Sequence, residues 1–372
     1  MEQFCQDNPL KIAVVGAGPA GIYCALNMLF EFKKLNFSYF KIDIFDKAQA
    51  LRTILPTGGG RCNLTNAISD IKEFASNYPR GEKFLYSLFS RHFNDDALDF
   101  FKSIGIKTYV QDDNRIFPIS NSAKDVKDKM LSALKLFKNA RLVNKEIKTK
   151  DDLINYDRII ISCGSKAVND LLNSFNQPII PFRRALCGFI VKDFKYPKGV
   201  SVKSLDGDFV FTDDGISGPL PFKLSSINVD KKYPYNINIK LFDENELLKL
   251  IQQNPKKSIG NIVCELVPKS LAKVIVDDFD KKAAEVSKKK IIEYSILNLE
   301  IISPSKQGEI VHAGGIDLTS IDKNCKSKMF ENLWFCGEVL DVDGFCGGFN
   351  LQNCWSSAFV VAKDVVSSII KK

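Results

Sequence analysis

The chain has 372 residues, 45% of them hydrophobic and 26% charged, with a formal net charge of +8; that length can bury a substantial core in two or three domains. No stretch approaches the roughly 20 apolar residues of a membrane span, and the polar segment Met1 to Leu10 carries no signal-type apolar run, so a cytoplasmic protein is expected. Nine arginines stand against 43 lysines, and the lysines mix with acids as in Lys124-Asp-Val-Lys-Asp-Lys129, the pattern of a solvated helix face, which argues against a nucleic-acid partner.

Lys11 to Val15 is a short apolar run that reads as a buried strand. Gly16-Ala-Gly-Pro-Ala-Gly21 follows directly, and from Pro19 the apolar residues Ala25, Leu26, Leu29 and Phe30 recur at helical spacing. Gly16 permits a tight turn, Gly18 lets backbone approach a pyrophosphate, and Gly21 lets helix and strand pack closely. Pro19 and Ala20 begin the helix, whose N-terminal N–H groups and dipole attract phosphate. A second strand, Phe40 to Phe45, ends in Asp46 and Lys47, with the carboxylate placed for a ribose hydroxyl.

Leu55 to Asn66 contains three consecutive glycines, then Arg61, Cys62, Asn63, Thr65 and Asn66. Bare backbone at Gly59 and Gly60 beside a polar cluster suits a ligand loop better than a linker. Arg61 is suited either to an anionic substrate or to a cofactor phosphate. Phe84 to Ile104 reads as one or two helices with Asn94 as an N-cap, Thr108 to Pro118 as a hairpin, and Ser122 to Phe137 as an amphipathic helix. Arg158 to Cys163 reads as a buried parallel strand with Gly164 at its carboxyl end, where open parallel sheets bind ligands.

The character changes near Ala185. Cys187 to Phe194, Gly199 to Leu205, Phe209 to Phe211 and Asn236 to Phe242 are strand-like, around a turn at Thr212 to Pro219. Glu244 to about Ile301 reads as helical, and Ile310 to Ile316 as a strand returning to the β-rich insert. Trp334 to Cys336 reads as a buried strand ending in Gly337 and Glu338. A loop with Asp341 and Asp343 then leads through Cys346 to Gly347, Gly348, Phe349 and Asn350, where a last helix begins. The two aspartates are either turn residues or proton carriers. Cys346 is either an activated thiolate at a helix tip or an inert buried thiol.

Ten cysteines, scattered without a C-x-x-C pair, read as thiols, and with only His92 and His312 no metal centre is expected. Two glycine-led helix tips far apart in the chain fit non-covalent FAD. The first serves the pyrophosphate and the second faces the pyrimidine edge, with Glu338 on the ribityl chain. A second nucleotide-binding glycine fingerprint is not visible, so NAD(P)H, if it is the reductant, docks transiently.

Pro56-Thr-Gly-Gly-Gly-Arg-Cys-Asn-Leu-Thr-Asn66, Asn114-Arg-Ile-Phe-Pro118, Thr212 to Pro219 and Gly337-Glu-Val-Leu-Asp-Val-Asp-Gly344 resemble the BaiN-like (YhiN-type) bacterial flavoproteins, also labelled NAD(P)/FAD-dependent oxidoreductases or aminoacetone oxidases. The resemblance covers essentially the full chain. It implies an α/β fold: a two-segment Rossmann-like FAD domain over 1–184 and 326–372, a barrel-like β-rich insert over 185–243 and 302–325, and a helical subdomain over 244–301. Departures from the family pattern are Asp46 for glutamate, Ser165 for a second glycine, Cys346 for threonine and Phe349 for tyrosine. The leading reaction implied is reduction of an activated carbon–carbon double bond in a small-molecule substrate. Oxidation of a small amine, modification of RNA, and flavin-based redox sensing without turnover are the alternatives; no catalytic acid or base and no oligomeric state are assigned.

Overall fold

The chain divides into two units, Met1–Arg183 with His312–Lys372, and Arg184–Val311. This computed structural model describes residues 4–165, 169–306 and 311–370. In the first unit the apolar run is strand β1 (Leu10–Val15), which pairs in parallel with β2 (Phe40–Asp46) from Leu10↔Phe40 to Val15↔Phe45. On its other side β1 pairs with β4 (Arg158–Ile161), and β3 (Ala140–Asn144) and β5 (Leu333–Phe335) complete a parallel sheet of order β5-β4-β1-β2-β3. An all-parallel sheet is covered on both faces, so its inner strands are largely apolar rather than alternating, while edge strand β3 is mostly open to solvent. Ile12, Val14, Ile160, Trp334 and Phe335 are accordingly sealed from solvent.

Helix α1 (Pro19–Lys34) leaves the β1 turn and packs along α2 (Phe349–Ile370). The aromatic core between them holds Tyr23, with its ring 5.0 Å from Trp355 and 4.2 Å from Phe100. His92 is also a core residue: its Nε2 meets the Tyr23 hydroxyl at 2.8 Å and its ring stacks on Phe359 at 4.1 Å. Burial lowers its pKa to about 4, so it is neutral at physiological pH.

The 84–104 region is two helices, Glu82–Phe89 and Asn94–Ser103. Asn94 lies inside the second rather than capping it. Asp96 reaches back to the Phe93 N–H at 2.7 Å, while Asn94 Nδ2 donates to the carbonyls of Asn66 and Ile68. Thr108–Val110 and Arg115–Pro118 form the expected hairpin, and Arg115–Pro118 also pairs with Thr65–Asn66.

Residues 312–325, read from sequence as part of the insert, belong to the first unit. Ile316 N–H donates to Val339 O at 2.8 Å, Asp317 N–H to Pro178 O at 3.0 Å, and Ser327 Oγ to Gln177 Oε1 at 3.0 Å. The strand of this region is Val311–Ile316, and its partner is Ile179–Ala185, not the sheet of the insert. Ile310, the predicted start, lies outside the described residues.

The second unit contains a six-stranded sheet, antiparallel at every pairing, running from Ser201–Val202 at one edge to Tyr235–Lys240 at the other. Leu205 N–H donates to Lys240 O at 2.9 Å, so the edges approach one another at one end, as in a partial barrel. The helical region does not extend to Ile301: a helix covers Lys288–Ser295, and strand Ile296–Pro304 follows at once. Alternating burial along that strand, with Leu297, Leu299 and Ile301 inward, shows why a helical period fails there. Helix residues Leu247, Ile251, Ile262 and Leu271 share one core with Ile237, Ile239 and Leu299. A helix at Pro219–Ile227, within the segment read as a turn and beyond, was not foreseen.

Candidate flavin site

The glycine turn is packed so closely that its residue types are dictated by space. Gly16 has φ +110, and a Cβ there would lie 2.6 Å from the Cys163 Cα. A Cβ on Gly21 would lie 1.9 Å from the Gly16 carbonyl oxygen and 2.6 Å from Ser162 Oγ. Gly18 is different: an added Cβ would meet only Thr53 Oγ1, at 3.7 Å. The first and third glycines therefore serve close packing, and the second faces space. Pro19 occupies the first helical turn, and the turn's N–H groups have no intrahelical acceptors.

Asp46 braces this turn from beneath. Its carboxylate accepts from the Ala17 N–H at 2.9 Å and the Ala48 N–H at 2.8 Å. Lys47 is exposed and pairs with Glu146 at 2.6 Å.

The predicted ligand loop closes onto the tip of α2. Asn63, in the amide orientation that satisfies its neighbours, accepts from the Gly348 N–H at 2.9 Å and donates to Thr65 O at 2.9 Å. Thr65 Oγ1 donates to Gln352 Oε1 at 2.7 Å, Asn66 Nδ2 to Gly347 O at 3.1 Å, and Trp355 Nε1 to Leu64 O at 2.8 Å. Gly58, Gly59 and Gly60 all have positive φ. A Cβ on Gly59 would meet nothing within 4 Å, and one on Gly60 only Leu55 O, at 3.9 Å. This is bare backbone facing open space. Cys62 is inward instead, with burial raising its thiol to about 12.

Gly348 shows how tight the loop–helix contact is. Its φ is +95 and an added Cβ would lie 2.4 Å from Thr65 O. Gly348→Ala is expected to cost at least about 2 kcal/mol, since both the backbone strain and the clash act on backbone atoms. Urea unfolding of the two proteins side by side checks it.

The other predicted C-terminal residues divide. Gly337 (φ +77) lies where a Cβ would come 2.6 Å from the Ala20 Cβ, which joins the end of β5 to the start of α1. Glu338 follows, near Gly164, whose added Cβ would meet Glu338 Oε2 at 4.0 Å. The residue as a whole is half-buried, yet protein atoms surround its carboxyl, and burial raises its pKa to about 7, with the Asp343 charge a second cause. Asp341 is also raised by burial, although it accepts the Gly314 N–H at 3.0 Å.

Asp343, Phe349 and Asn350 direct their side chains to structural partners. Asp343 is fully buried in a two-point ion pair with Arg80. The Phe349 ring lies in the core, 4.9 Å from Phe74, and Asn350 bridges both backbone groups of Gly344 at 2.7 and 2.9 Å. At these positions backbone alone is available to a ligand. Cys346 is neither of the alternatives read from sequence: the residue is exposed, and its thiol is raised, not lowered, because its sulfur is crowded by protein.

Sequence reasoning missed what three side chains do. Arg80 holds Asp343. Ser165 Oγ, next to Gly164, lies 2.8 Å from His312 Nδ1; His312 was flagged only as one of two histidines. Asn353 Oδ1 is buried without a hydrogen-bond partner among the described residues. It lies one turn before Ser357, whose hydroxyl accepts the Gly337 N–H at 2.9 Å.

FAD fits this donor set. The cradle has open backbone at Gly18, Gly59 and Gly60, a fresh helix N-terminus, an acid beside the first turn and an orphaned buried amide oxygen on α2. Of these features only the acid, Asp46, also serves the chain itself, by bracing the turn. A parallel α/β sheet with that cradle at its carboxyl edge defines a dinucleotide-binding flavoprotein.

The chain belongs to the HI0933-like Rossmann-domain family, whose model matches residues 10–364, and is thus a flavin-dependent oxidoreductase. It is 26% identical to the ribosomal RNA dihydrouridine synthase of Haemophilus influenzae, over 95% of this chain and 97% of that one. It is 22% identical to the enzyme of the same name from Escherichia coli (95% and 98%), and 23% identical to the 3-dehydro-bile acid delta(4,6)-reductase of Clostridium scindens (95% and 98%). Among solved structures it is similar to the Mycobacterium smegmatis Sdh1 complex, at 12% identity and TM-score 0.45, covering 97% of this chain and 69% of that one. Aquifex aeolicus GidA is similar at 11% identity and TM-score 0.42, covering 99% and 64%. Among the described residues no helix is long and apolar enough to cross a membrane.

Proposed function

We propose that this protein uses FAD and NAD(P)H to reduce a carbon–carbon double bond conjugated to a carbonyl, and that its substrate is the uracil ring of a uridine in RNA. The observation that carries the reading is the closure of the Gly58–Asn66 loop on the tip of α2, with bare glycine backbone facing open space. Three relatives support the bond type. Dihydrouridine is uridine with the C5–C6 bond of its uracil ring reduced, and the bile acid reductase is named for reduction of ring double bonds. Two of the three names specify RNA, which sets the proposed substrate against the charge pattern that argued against a nucleic-acid partner.

Bound FAD supplies a reversible hydride carrier. The residues of the chain do the rest by binding and electrostatics. The first turn of α1 receives the pyrophosphate, and Asp46, already holding the Ala17 and Ala48 N–H groups, keeps that turn in place while accepting a ribose hydroxyl. Glu338, part-protonated near neutrality, is able to donate as well as accept a hydrogen bond to the ribityl hydroxyls. The N-terminal dipole of α2 favours negative charge on the reduced pyrimidine edge. In sum NAD(P)H is oxidised, its hydride reaches the β-carbon of the substrate, and a proton from solvent or an acid completes the α-carbon.

The test is anaerobic. Purified holoprotein is bleached with NADH and NADPH in turn, then mixed with uridine, uridine-containing RNA or a small conjugated enone. Reoxidation with RNA, and dihydrouridine in the digested product, is expected. A protein that is colourless and refuses FAD would end the reading. Reoxidation by the enone alone supports the second reading, a small-molecule enone reductase, which the bile acid reductase relative favours. Bleaching by an amine and not by NAD(P)H would make the protein an oxidase.

A further inference from the structure

The hairpin beside the glycine loop carries two cations on one aromatic ring. The guanidinium carbon of Arg61 lies 4.2 Å from the centroid of Phe117, and that of Arg115 lies 5.6 Å from the same centroid. Phe117 is fully buried and wedged under Gly58, where an added Cβ would come 2.8 Å from the ring. A guanidinium stacked on an immobile ring is oriented before any ligand arrives, so little of its freedom is lost on binding.

Neither cation is committed to a buried partner. Arg61 Nε donates to Gly58 O at 3.2 Å, which leaves the two terminal nitrogens with no acidic partner among the described residues. Arg115 is paired with Asp113 through Nε at 2.7 Å and a terminal nitrogen at 2.6 Å, but the pair lies at the surface, 36% and 53% exposed, and such pairs contribute little. Arg115 pairs in the sheet with Asn66, whose Nδ2 donates to Gly347 O at the tip of α2. The two cations therefore sit at the mouth of the flavin cradle. The first turn of α1 would hold the pyrophosphate of FAD, which would leave the arginines available to a second anion.

We infer that Arg61 and Arg115, stacked on Phe117, form a subsite for the backbone phosphodiester of the RNA substrate, beside the place where its uracil meets the flavin. The inference rests on the reading of the substrate as RNA. A phosphodiester presents two non-bridging oxygens to planar forks, the geometry guanidinium matches best. Such contacts set position and register without reading sequence. A neutral small enone has no group to occupy them.

The test uses the flavin-loaded protein and a labelled oligouridylate, with binding followed by fluorescence anisotropy over a salt series. Arg61→Met and Arg115→Met keep the stems that cover Phe117 while removing the charge. Each is expected to flatten the plot of log affinity against log salt by ~0.7, the value for one phosphate contact to a single strand. The double variant is expected to lose roughly 10- to 100-fold in affinity at moderate salt, by the same counterion argument. Asp113→Asn, which releases Arg115, is expected to tighten binding several-fold. Lys288→Met with Lys289→Met removes the same charge from an exposed helix of the second unit and is expected to leave the slope unchanged.

An unchanged slope in both arginine variants overturns the subsite. Loss of bound flavin from Arg61→Met also overturns it, since that outcome assigns the guanidinium to the cofactor. Failure of the functional reading looks different: reduced flavin is then not reoxidised by uridine or RNA, whatever the salt slope shows.

Discussion

Arg80→Ala is expected to unfold with about 3–5 kcal/mol less stability than the parent near neutral pH. Asp343 is fully buried, the Arg80 side chain is 16% exposed, and the guanidinium grips both carboxylate oxygens. Removing the arginine takes its two-point partner from a carboxylate in a low-dielectric site, and breaking a buried pair from one side is its costly disruption. Arg80→Met with Asp343→Leu removes both charges and is expected to recover much of the loss. Urea unfolding of the three proteins at pH 7.5 measures the effect. A double variant no more stable than Arg80→Ala would show that packing, not charge, sets the cost.

Glu338→Gln is expected to act in the opposite direction. With the folded pKa near 7 against an ordinary carboxyl value near 4.5, the folded flavin-free chain binds more protons than the unfolded one between those values. Stability therefore falls as pH rises through that window, by about 3 kcal/mol from this one group, because each pKa unit corresponds to about 1.4 kcal/mol. Glutamine carries no charge to desolvate. The flavin-free variant is expected to match the parent near pH 4.5 and to exceed it by about that amount at pH 8, while binding FAD more weakly. Parallel stability profiles for the two proteins would remove the strained carboxyl from the account. The two experiments are linked, because the Asp343 charge helps raise Glu338: Asp343→Asn should bring the Glu338 titration down.

A destabilising acid at the mouth of a cofactor cradle is the kind of local cost that functional sites carry. The costs here are set by different neighbours. Glu338 is crowded at the junction of β5, α1 and α2, whereas Asp343 is satisfied by Arg80, a residue 263 positions earlier in the chain. A buried carboxylate with a partner and one without it behave as different chemical groups.

The amino-acid order alone determined the parts whose cause is local. The β1–glycine turn–α1 unit, the β2 acid and the second glycine-led helix each follow from runs of a dozen residues, since strand burial, turn sterics and helix dipoles depend on near neighbours. The family likeness was legible for the same reason, in contiguous motifs. Tertiary structure alone decided what the polar side chains do. Asp343, Phe349 and Asn350 look like ligand residues in the motif, but Arg80, Phe74 and Gly344 claim their side chains. Asn63 meets Gly348, Ser165 meets His312, and Arg61 and Arg115 meet over Phe117. Strand Ile296–Pro304 likewise gained its identity from pairing with Tyr235–Lys240, which overrode a helical reading. Hydrogen bonds and charge pairs between distant segments depend on where the sheet and helices bring them, and no spacing in the linear chain encodes that distance.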